Sequence, residues 1–533
     1  MKHFYYILII STLVTLSSCS NSENSFWDDT PSFSEQFKES IDSLNLLIIG
    51  KDTLLASTEV LNYYSDSDFE PLWVTDSCLT TKGDEMYKLV ENAYRYGLLP
   101  EFFHYSNLKS SLDDSLFFET EVLLSNSFLL YITHLNAGFL DTTSMQYSWK
   151  KDSIPFDLIE QLEEIEDTDD LTKFIESFQP KHWEYVQLQK GLQTFIRHYN
   201  LDTNQFKIPK FKDDSVKCYT VTKAALIAHQ FIDSTSTDSI FISRLKDFQI
   251  MNAMTDDAIV GRWTSRVLAK SNMDRYFQAM LSLEKWRWKK LSEFPERYIR
   301  VNIAAYTLKL WDKNKVLRKH RTVCGAYATQ TPEFHATLKR FITNPFWHLP
   351  YSIASTESLV GVKKDSNYFS KRGMKLFRDG AQVDPNTVDW SVVNNTNFRY
   401  RIRQDGGGSN SLGRVKFLFP NSHAVYFHDT PSKHLFRNDI RAYSHGCIRL
   451  HNPFDFAKTL LEIDNQDLTS IEFDTLIKNG TQRVIELKTP FEVYVEYYTA
   501  TGDSSGIITF HPDVYGRDKR YMKEIKKIAH YEN

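Results

Sequence analysis

A single cysteine closes the run Ser444-His445-Gly446-Cys447, and a histidine, His428, stands upstream at the end of an alternating stretch. The thiolate form of cysteine attacks acyl carbonyls, but a free thiol with a pKa of about 8.5 is mostly protonated at neutral pH. A histidine in the same pocket can accept that proton. Gly446 lets the backbone turn tightly, so the N–H groups of Gly446 and Cys447 are candidates for holding an oxyanion. The pattern predicts acyl transfer by Cys447, with His428 as its base.

The neighbours of this pair have predicted supporting roles. Ser444 and His445 shape the pocket, and a hydrogen bond from His445 holds the loop. The guanidinium of Arg449 either binds a substrate carboxylate through its fork or only fixes the loop. Any one of these residue types alone usually packs in a core or faces solvent. The prediction therefore depends on their joint spacing.

The same stretch is rich in histidine, which raises the question of a metal site. Its histidines are His423, His428, His434 and His445. They do not form the His-x-x-x-His pair of a helical zinc site, and a turn at Pro431 separates them. We therefore predict neither a metal ion nor another cofactor.

This stretch resembles the active-site motif of the YkuD-type L,D-transpeptidases. In that motif a histidine and a spacer precede Ser/Thr-His-Gly-Cys, an apolar residue and Asn or Arg. The matching positions here are His428, Ser444, His445, Gly446, Cys447, Ile448 and Arg449. Two separated parts of the motif agree, which is more specific than a lone His-Gly-Cys. The resemblance implies a catalytic cysteine and inhibition by carbapenems, which acylate family members at that residue.

The resemblance also implies a substrate. The donor would be a peptidoglycan tetrapeptide stem, cleaved after the L-centre of its third residue, a diamino acid, with release of the terminal D-alanine. The acyl group would pass to a side-chain amine of a neighbouring stem and form a 3→3 crosslink. Two alternatives stay open. Water as the acceptor would give an L,D-carboxypeptidase, and loss of catalysis would leave a cell-wall-binding lipoprotein.

Length and composition set the broad class. At 533 residues, with 41 % apolar and 14 % aromatic residues, the chain can form several domains with sizeable cores. The net charge of −5 gives no basic field for binding nucleic acid. Five cysteines without a Cys-x-x-Cys pair argue against a structural zinc site, and an odd number in an exported protein leaves a free thiol. Cys78, Cys218 and Cys324 are predicted as small buried apolar residues.

The first residues predict export and lipidation. Lys2 precedes an apolar run, Phe4–Leu16, that is shorter than the roughly 20 residues of a membrane-spanning helix. Residues 1–18 are predicted as a lipoprotein signal peptide, because Leu16-Ser17-Ser18-Cys19 fits a lipobox with Cys19 as the lipidated residue. An ordinary secretory signal with an incidental cysteine is the alternative. Residues 19–35 are predicted as a tether. By resemblance to other lipoproteins, we expect the protein in the periplasm, anchored at the outer membrane.

Helical spacing of apolar residues dominates residues 36–230, which we predict as a helical scaffold domain. This region resembles the scaffold domain ahead of the catalytic domain in the larger, YcbB-like branch of the family. The likeness is carried by Tyr63-Tyr64, Pro71-Leu72-Trp73, Tyr96-Gly97-Leu98 and Leu135-Asn136-Ala137-Gly138. Residues 231–275 resemble a small helical peptidoglycan-binding module, for which glycan binding and plain scaffolding are equally open. Residues 276–297 are predicted as a linker helix.

Strand patterns begin at Tyr298, where Ile299, Val301 and Ile303 alternate with polar residues. Residues 298–518 are predicted as a mainly β catalytic domain of YkuD type. Residues 350–393 match the position of the lid insertion in YcbB-like enzymes, and residues 519–533 are predicted as a C-terminal tail. The predicted fold class is therefore multidomain. A helical scaffold and a small helical module precede a mainly β domain with a lid.

Overall fold

The computed structural model describes residues 31–43, 48–49, 52–141, 155–289 and 294–528. The predicted signal peptide, the lipidation site Cys19 and residues 19–30 of the predicted tether lie outside these ranges. The end of the predicted tether is helical, because the first helix begins at Phe33. No helix within the described ranges has the length and apolarity needed to cross a membrane.

The N-terminal region is helical and is built around one buried helix. Its elements are α1 (Phe33–Ser43), β1 (Ile48–Ile49), β2 (Asp52–Thr53), α2 (Ser57–Asp66), α3 (Thr81–Glu91), α4 (Tyr105–Asp113), α5 (Phe117–Ala137), α6 (Leu158–Glu166), α7 (Leu171–Glu176) and α8 (Trp183–His198). Helix α5 is buried on almost all sides and therefore lies in the core. Its buried Glu121 accepts N–H bonds from Trp73 and Val74, each at 2.9 Å. These bonds fix the turn that carries the buried Trp73.

Three further helices, α9 (Ser215–Ala228), α10 (Asp238–Met251) and α11 (Arg262–Leu268), share a core of their own. Ala225 and Leu226 of α9 pack in that core with Phe241 and Leu245 of α10. Helix α9 therefore belongs to the small module, and the predicted boundary at residue 231 is corrected to one ahead of Ser215. From the sequence, α9 was assigned to the scaffold, because the spacing of its apolar residues does not show which of the two cores they enter.

The predicted linker helix is a core element of the scaffold. Helix α12 spans Asn272–Arg287, so it begins ahead of the predicted range 276–297 and ends inside that range. A capping box starts it, in which the Ser271 hydroxyl accepts the Asp274 N–H at 3.1 Å and the Asp274 carboxylate accepts the Ser271 N–H at 3.2 Å. Almost every side chain of α12 is buried, and its apolar residues join the same core as those of α5 and α8.

The C-terminal region is mainly β. Its strands are β3 (Arg297–Asn302), β4 (Thr307–Asp312), β5 (Lys315–Gly325), β6 (Phe334–Thr343), β7 (Trp347–His348), β8 (Met374–Arg378), β9 (Ala381–Val383), β10 (Arg401–Gln404), β11 (Val415–Leu418), β12 (Phe427–His428), β13 (Ala442–Ser444), β14 (Ile448–Leu450), β15 (Arg483–Glu496), β16 (Ala500–Gly502) and β17 (Ile508–Phe510). Its helices are α13 (Tyr351–Ile353), α14 (Leu359–Lys364), α15 (Tyr368–Lys371), α16 (Pro453–Ile463), α17 (Ser470–Lys478) and α18 (Asp518–Ile528). Nine strands form one sheet in the order β13-β5-β14-β12-β11-β6-β15-β3-β4. Strand β4 also pairs with β5, so the sheet closes on itself around an apolar core.

The predicted lid is a folded insertion. Strands β7, β10, β8 and β9 form a separate four-stranded sheet, and Leu359 and Phe369 from the short helices pack against it. Pairing of Trp347 with Gln404 joins the two ends of the insertion. The predicted range 350–393 is therefore corrected outward to residues 347–404. The strands escaped detection because they have only two to five residues each.

The predicted tail, residues 519–533, is wrong over its described part. Helix α18 extends to Ile528 and buries Tyr521 and Ile525, which lie four residues apart on one face. The Tyr521 ring lies 5.6 Å from that of Trp288, between ring centroids. Lysines on the other positions hid this narrow apolar face in the sequence.

Candidate active site

Strand pairing brings the two parts of the motif side by side. Strand β12 runs parallel to β14, with Phe427 opposite Ile448 and His428 opposite Arg449. On its other edge β12 pairs with β11, where Lys416 lies opposite His428. Residues directly opposite each other point to the same face of a sheet. His428, Arg449 and Lys416 therefore lie in one row across three strands.

The turn before Cys447 is closed by Ser444. The Ser444 hydroxyl donates to the carbonyl oxygen of Cys447 at 2.5 Å and accepts the N–H of Gly446 at 3.2 Å. Gly446 has a φ of +109°, which glycine adopts without strain. The N–H of Gly446 already donates to Ser444, so it is not available for the predicted oxyanion role. The N–H of Cys447 has no hydrogen-bond partner among the described residues, so it is the free donor of the turn.

Cys447 is half-buried and lines an open groove of about 870 Å³, which we call the active-site groove. His428, His445 and Arg449 line the same groove. The Cys447 sulfur lies 3.8 Å from the carbonyl oxygen of Ala424. Both the backbone N–H and the phenol O–H of Tyr426 hydrogen-bond to the sulfur. The thiol is thus accessible from solvent and carries two donors that stabilise its anionic form.

Burial raises the pKa of the Cys447 thiol above its ordinary value. The hydrogen bonds from Tyr426 and the positive charges of Lys416 and Arg449 act in the opposite direction but do not outweigh burial. The thiol is therefore protonated at neutral pH and requires a base to become a nucleophile.

His428 is buried and fixed in one tautomer. Its Nδ1 lies 2.5 Å from the carbonyl oxygen of Asp429, which can only accept. Nδ1 therefore carries the hydrogen, and Nε2 keeps its lone pair. Burial and, next, the charge of Arg449 lower the pKa of His428 to about 3, so the imidazole is neutral at physiological pH. A neutral ring with a free Nε2 can accept a proton.

The structure records no hydrogen bond between the imidazole of His428 and the sulfur of Cys447. Both side chains line the active-site groove, on neighbouring parallel strands. Catalytic hydrogen bonds are often long in the absence of substrate and shorten in the complex. The two side chains therefore share one surface, and proton transfer between them requires a closer approach.

Two cations stand beside the sulfur. Burial lowers the pKa of Arg449 and of Lys416, and the Cys447 thiolate opposes this in both. The buried Nε of Arg449 has no hydrogen-bond partner among the described residues. The ammonium of Lys416 lies 3.8 Å from the centroid of the Tyr426 ring. Arg449 also lines the active-site groove, where a guanidinium fits a carboxylate of a ligand.

The insertion forms the opposite wall of the active-site groove. The side chain of Trp347 hydrogen-bonds to the phenol of Tyr426. Glu357, on a π-helical turn at Ala354–Ser358, lies 2.5 Å from Nε2 of His445. His445 thus contacts the insertion, whereas we expected it to hold its own loop. Ser444 does that instead.

Two further predictions concern metal binding and the other cysteines. No group of three or more metal-ligating side chains occurs within the described ranges. Of the three cysteines predicted as buried, Cys218 and Cys324 are buried, whereas Cys78 is only partly so. All described cysteines, Cys447 among them, are free thiols.

Sequence reasoning missed three residues of the site, Tyr426, Lys416 and Glu357. Tyr426 stands two residues before His428, so strand alternation would have placed both on one face. Lys416 becomes a neighbour only through the register of β11 against β12. Glu357 lies 88 residues from its partner in a polar segment without a motif, and no local signal marks it.

Family models match both the helical and the mainly β region of the chain. The family model of the L,D-transpeptidase catalytic domain matches residues 296–485, and the Scaffold domain model matches residues 58–192. A curated Haemophilus influenzae protein named "Putative L,D-transpeptidase" is 31 % identical over 221 residues, which cover 41 % of this chain and 44 % of that protein. A solved L,D-transpeptidase from Mycobacterium smegmatis shares 14 % identity over 38 % of this chain and 58 % of that one, with a TM-score of 0.19. No conclusion rests on so low a score.

The fold and the matched domains define a class of protein in which an L,D-transpeptidase catalytic domain follows a helical scaffold. Residues 296–485 belong to the YkuD family of L,D-transpeptidase catalytic domains, and a Scaffold domain precedes them. The resemblance drawn from the motif is thereby confirmed, as is the predicted order of a helical region followed by a mainly β catalytic domain. The chain spans less than half the length of the curated relative, 44 %.

Proposed function

We propose that this protein is a cysteine-dependent L,D-transpeptidase that joins peptidoglycan stem peptides by 3→3 crosslinks. The observation that carries the proposal is an accessible thiol, Cys447, in the same groove as a neutral imidazole, His428, whose Nε2 is free. The L,D-transpeptidase catalytic domain match covers both residues.

In the first step, the donor carbonyl binds beside the sulfur. His428 Nε2 takes the thiol proton, and the sulfur attacks the carbonyl carbon of the third residue of a tetrapeptide stem. The oxyanion is held by the free N–H of Cys447. The amide bond then breaks, His428 returns the proton to the leaving nitrogen, and D-alanine departs. Arg449, which lines the groove, binds a carboxylate of the donor through its guanidinium.

In the second step, the side-chain amine of another stem attacks the thioester carbon. His428 accepts a proton from the attacking nitrogen, an amide forms, and the carbon–sulfur bond breaks. The proton returns to the sulfur, which restores the thiol and the neutral imidazole. With water in place of the amine, the same steps yield a trimmed stem.

The test is intact-mass analysis of the protein after mixing with a tetrapeptide stem. The expected result is an acyl adduct on Cys447 in the wild type and none in Cys447→Ala, with circular dichroism showing that the variant is folded. Muropeptide mass analysis then separates a crosslinked dimer from trimmed stems. Trimmed stems alone would establish a carboxypeptidase, and unchanged stems would contradict an enzymatic role.

We propose further that carbapenems inhibit the protein by acylating Cys447, and that export and lipidation at Cys19 place it in the periplasm, at the outer membrane. The lipobox-like run before Cys19 supports the second proposal. Labelling cells with a fatty-acid probe should mark the wild type and not Cys19→Ala. A labelled Cys19→Ala protein would contradict it.

A further inference from the structure

A second groove, of about 840 Å³, adjoins the active-site groove. We call it the cationic groove. It is lined on one side by Arg517, Lys519 and Arg520, around the start of α18, and on the other by Phe334 and His335 of β6. Nothing in the proposed two-step chemistry so far uses these residues.

The two grooves share part of their wall. Pro332 and His423 line both of them. His423 directly precedes Ala424, whose carbonyl oxygen lies 3.8 Å from the Cys447 sulfur. His423 thus connects the wall of the cationic groove to the segment beside the nucleophile.

The charges of the cationic groove are not balanced by its own acids. Glu333 pairs with Arg517 at 3.1 Å, and Glu492 at its edge pairs with His335 at 2.5 Å. Lys519 and Arg520 are exposed and pair with no carboxylate among the described residues; Arg520 bonds only the Tyr521 hydroxyl, at 2.7 Å. These two cationic side chains are therefore available to bind an anionic ligand.

Phe334 and Tyr515 give the floor of this groove an apolar character, and both are buried. An apolar floor beneath free cations suits an extended peptide with carboxylates. We infer that the cationic groove binds the acceptor, an acidic stem peptide, and delivers its amine past His423 to the thioester on Cys447. This inference rests on the proposed function. It assigns the acceptor to this groove and leaves the donor between Arg449 and the insertion.

The test separates binding from chemistry. A dye-labelled stem peptide with free carboxylates is titrated onto Cys447→Ala, with and without Lys519→Gln and Arg520→Gln. Removal of two exposed charge contacts should weaken binding about five- to tenfold. The difference should shrink in 1 M salt, because exposed charges are screened, and it should vanish for the amidated peptide.

A matched control removes two lysines from the other part of the same helix. Lys523→Gln with Lys527→Gln makes the same change in net charge outside the groove, and should leave the affinity unchanged. Lys519→Gln alone, which breaks no recorded contact, tests the site without risk to the fold. Equal affinities for the groove variant and the control would overturn the inference.

The catalytic arm uses the protein with its cysteine intact. Acylation of Cys447 by the donor is followed by mass, and transfer is then started with increasing acceptor. In the groove variant the acceptor KM should rise by a larger factor than the factor by which the acylation rate changes. An unacylated wild type would contradict the proposed function, whereas normal acylation with an unchanged acceptor KM would contradict this inference alone.

Discussion

The thiol of Cys447 and the imidazole of His428 are both neutral in the resting site, for different reasons. Burial raises the pKa of the thiol and lowers that of the imidazole, because burial disfavours the charged form of either group. A standing thiolate–imidazolium pair is therefore not the ground state. Proton transfer has to accompany attack on the substrate.

Alkylation of Cys447 by iodoacetamide tests this view through its pH dependence. Since the pKa of the thiol is raised, the rate should increase with pH to a midpoint above the ordinary value of about 8.5. Tyr426→Phe removes a hydrogen bond to the sulfur and should move the midpoint higher still. A plateau of fast alkylation below pH 7 would instead reveal a preformed ion pair.

Replacement of His428 by glutamine removes the base and keeps a polar side chain of similar size. General base catalysis contributes about 10²–10⁴-fold, so acylation of Cys447 by a tetrapeptide stem should fall by that order. His434→Gln, at an exposed position in the same connection, is the control and should acylate at the wild-type rate. If both variants acylate normally, another group serves as the base.

At the scale of elements, sequence patterns succeeded where an element is long or carries a motif. The long buried helix α5 and the alternating strand β3 are such elements. Sequence patterns failed for β8 and β9, which have only five and three residues, and for the assignment of α9 to its domain. The site itself was predictable only for the residues of the motif. Lys416 and Glu357 reach it through strand register and through the folded insertion, which no local pattern encodes.

The contact between Glu357 and His445 joins the insertion to the catalytic turn. Both side chains are about half exposed, so the pair contributes at most about 1 kcal/mol. Glu357→Ala should open the active-site groove slightly and speed thiol-reagent labelling of Cys447 by up to about fivefold. Glu357→Gln keeps a hydrogen-bonding group, so its labelling rate should lie between those of the wild type and Glu357→Ala. Slower labelling in Glu357→Ala would show that the contact does not restrict access.

At the scale of the whole molecule, a buried ionic network joins the two domains. Arg300 of β3 contacts Glu184 of the scaffold helix α8 and Glu496 of β15. Burial alone would raise the pKa of Glu496, but the charges of Arg300 and Lys289 outweigh it and lower the pKa to about 2. The depressed pKa means that folding favours the ionised carboxylate.

This network predicts a defined loss of stability in acid. A carboxyl whose pKa is lowered on folding stabilises fully above its unfolded pKa, and loses that contribution as pH falls from about 4.5 toward 2. Glu496→Gln should destabilise the protein by about 3–5 kcal/mol at pH 7, since it removes the buried carboxylate that pairs with both Arg300 and Lys289, and should flatten the pH dependence in that window. Denaturant unfolding from pH 2 to 7 measures both. Glu486→Gln, at an exposed pair, should change neither.

Helix α18 has a consequence for the order in which the protein can be completed. Its Tyr521 and Ile525 belong to the same core as Phe37 and Val60, near the other end of the chain. The scaffold core therefore stays incomplete until α18, which follows the catalytic domain in the sequence, has been synthesised. A chain truncated before α18 would retain Cys447 and His428 but would lack the helix that completes the scaffold core.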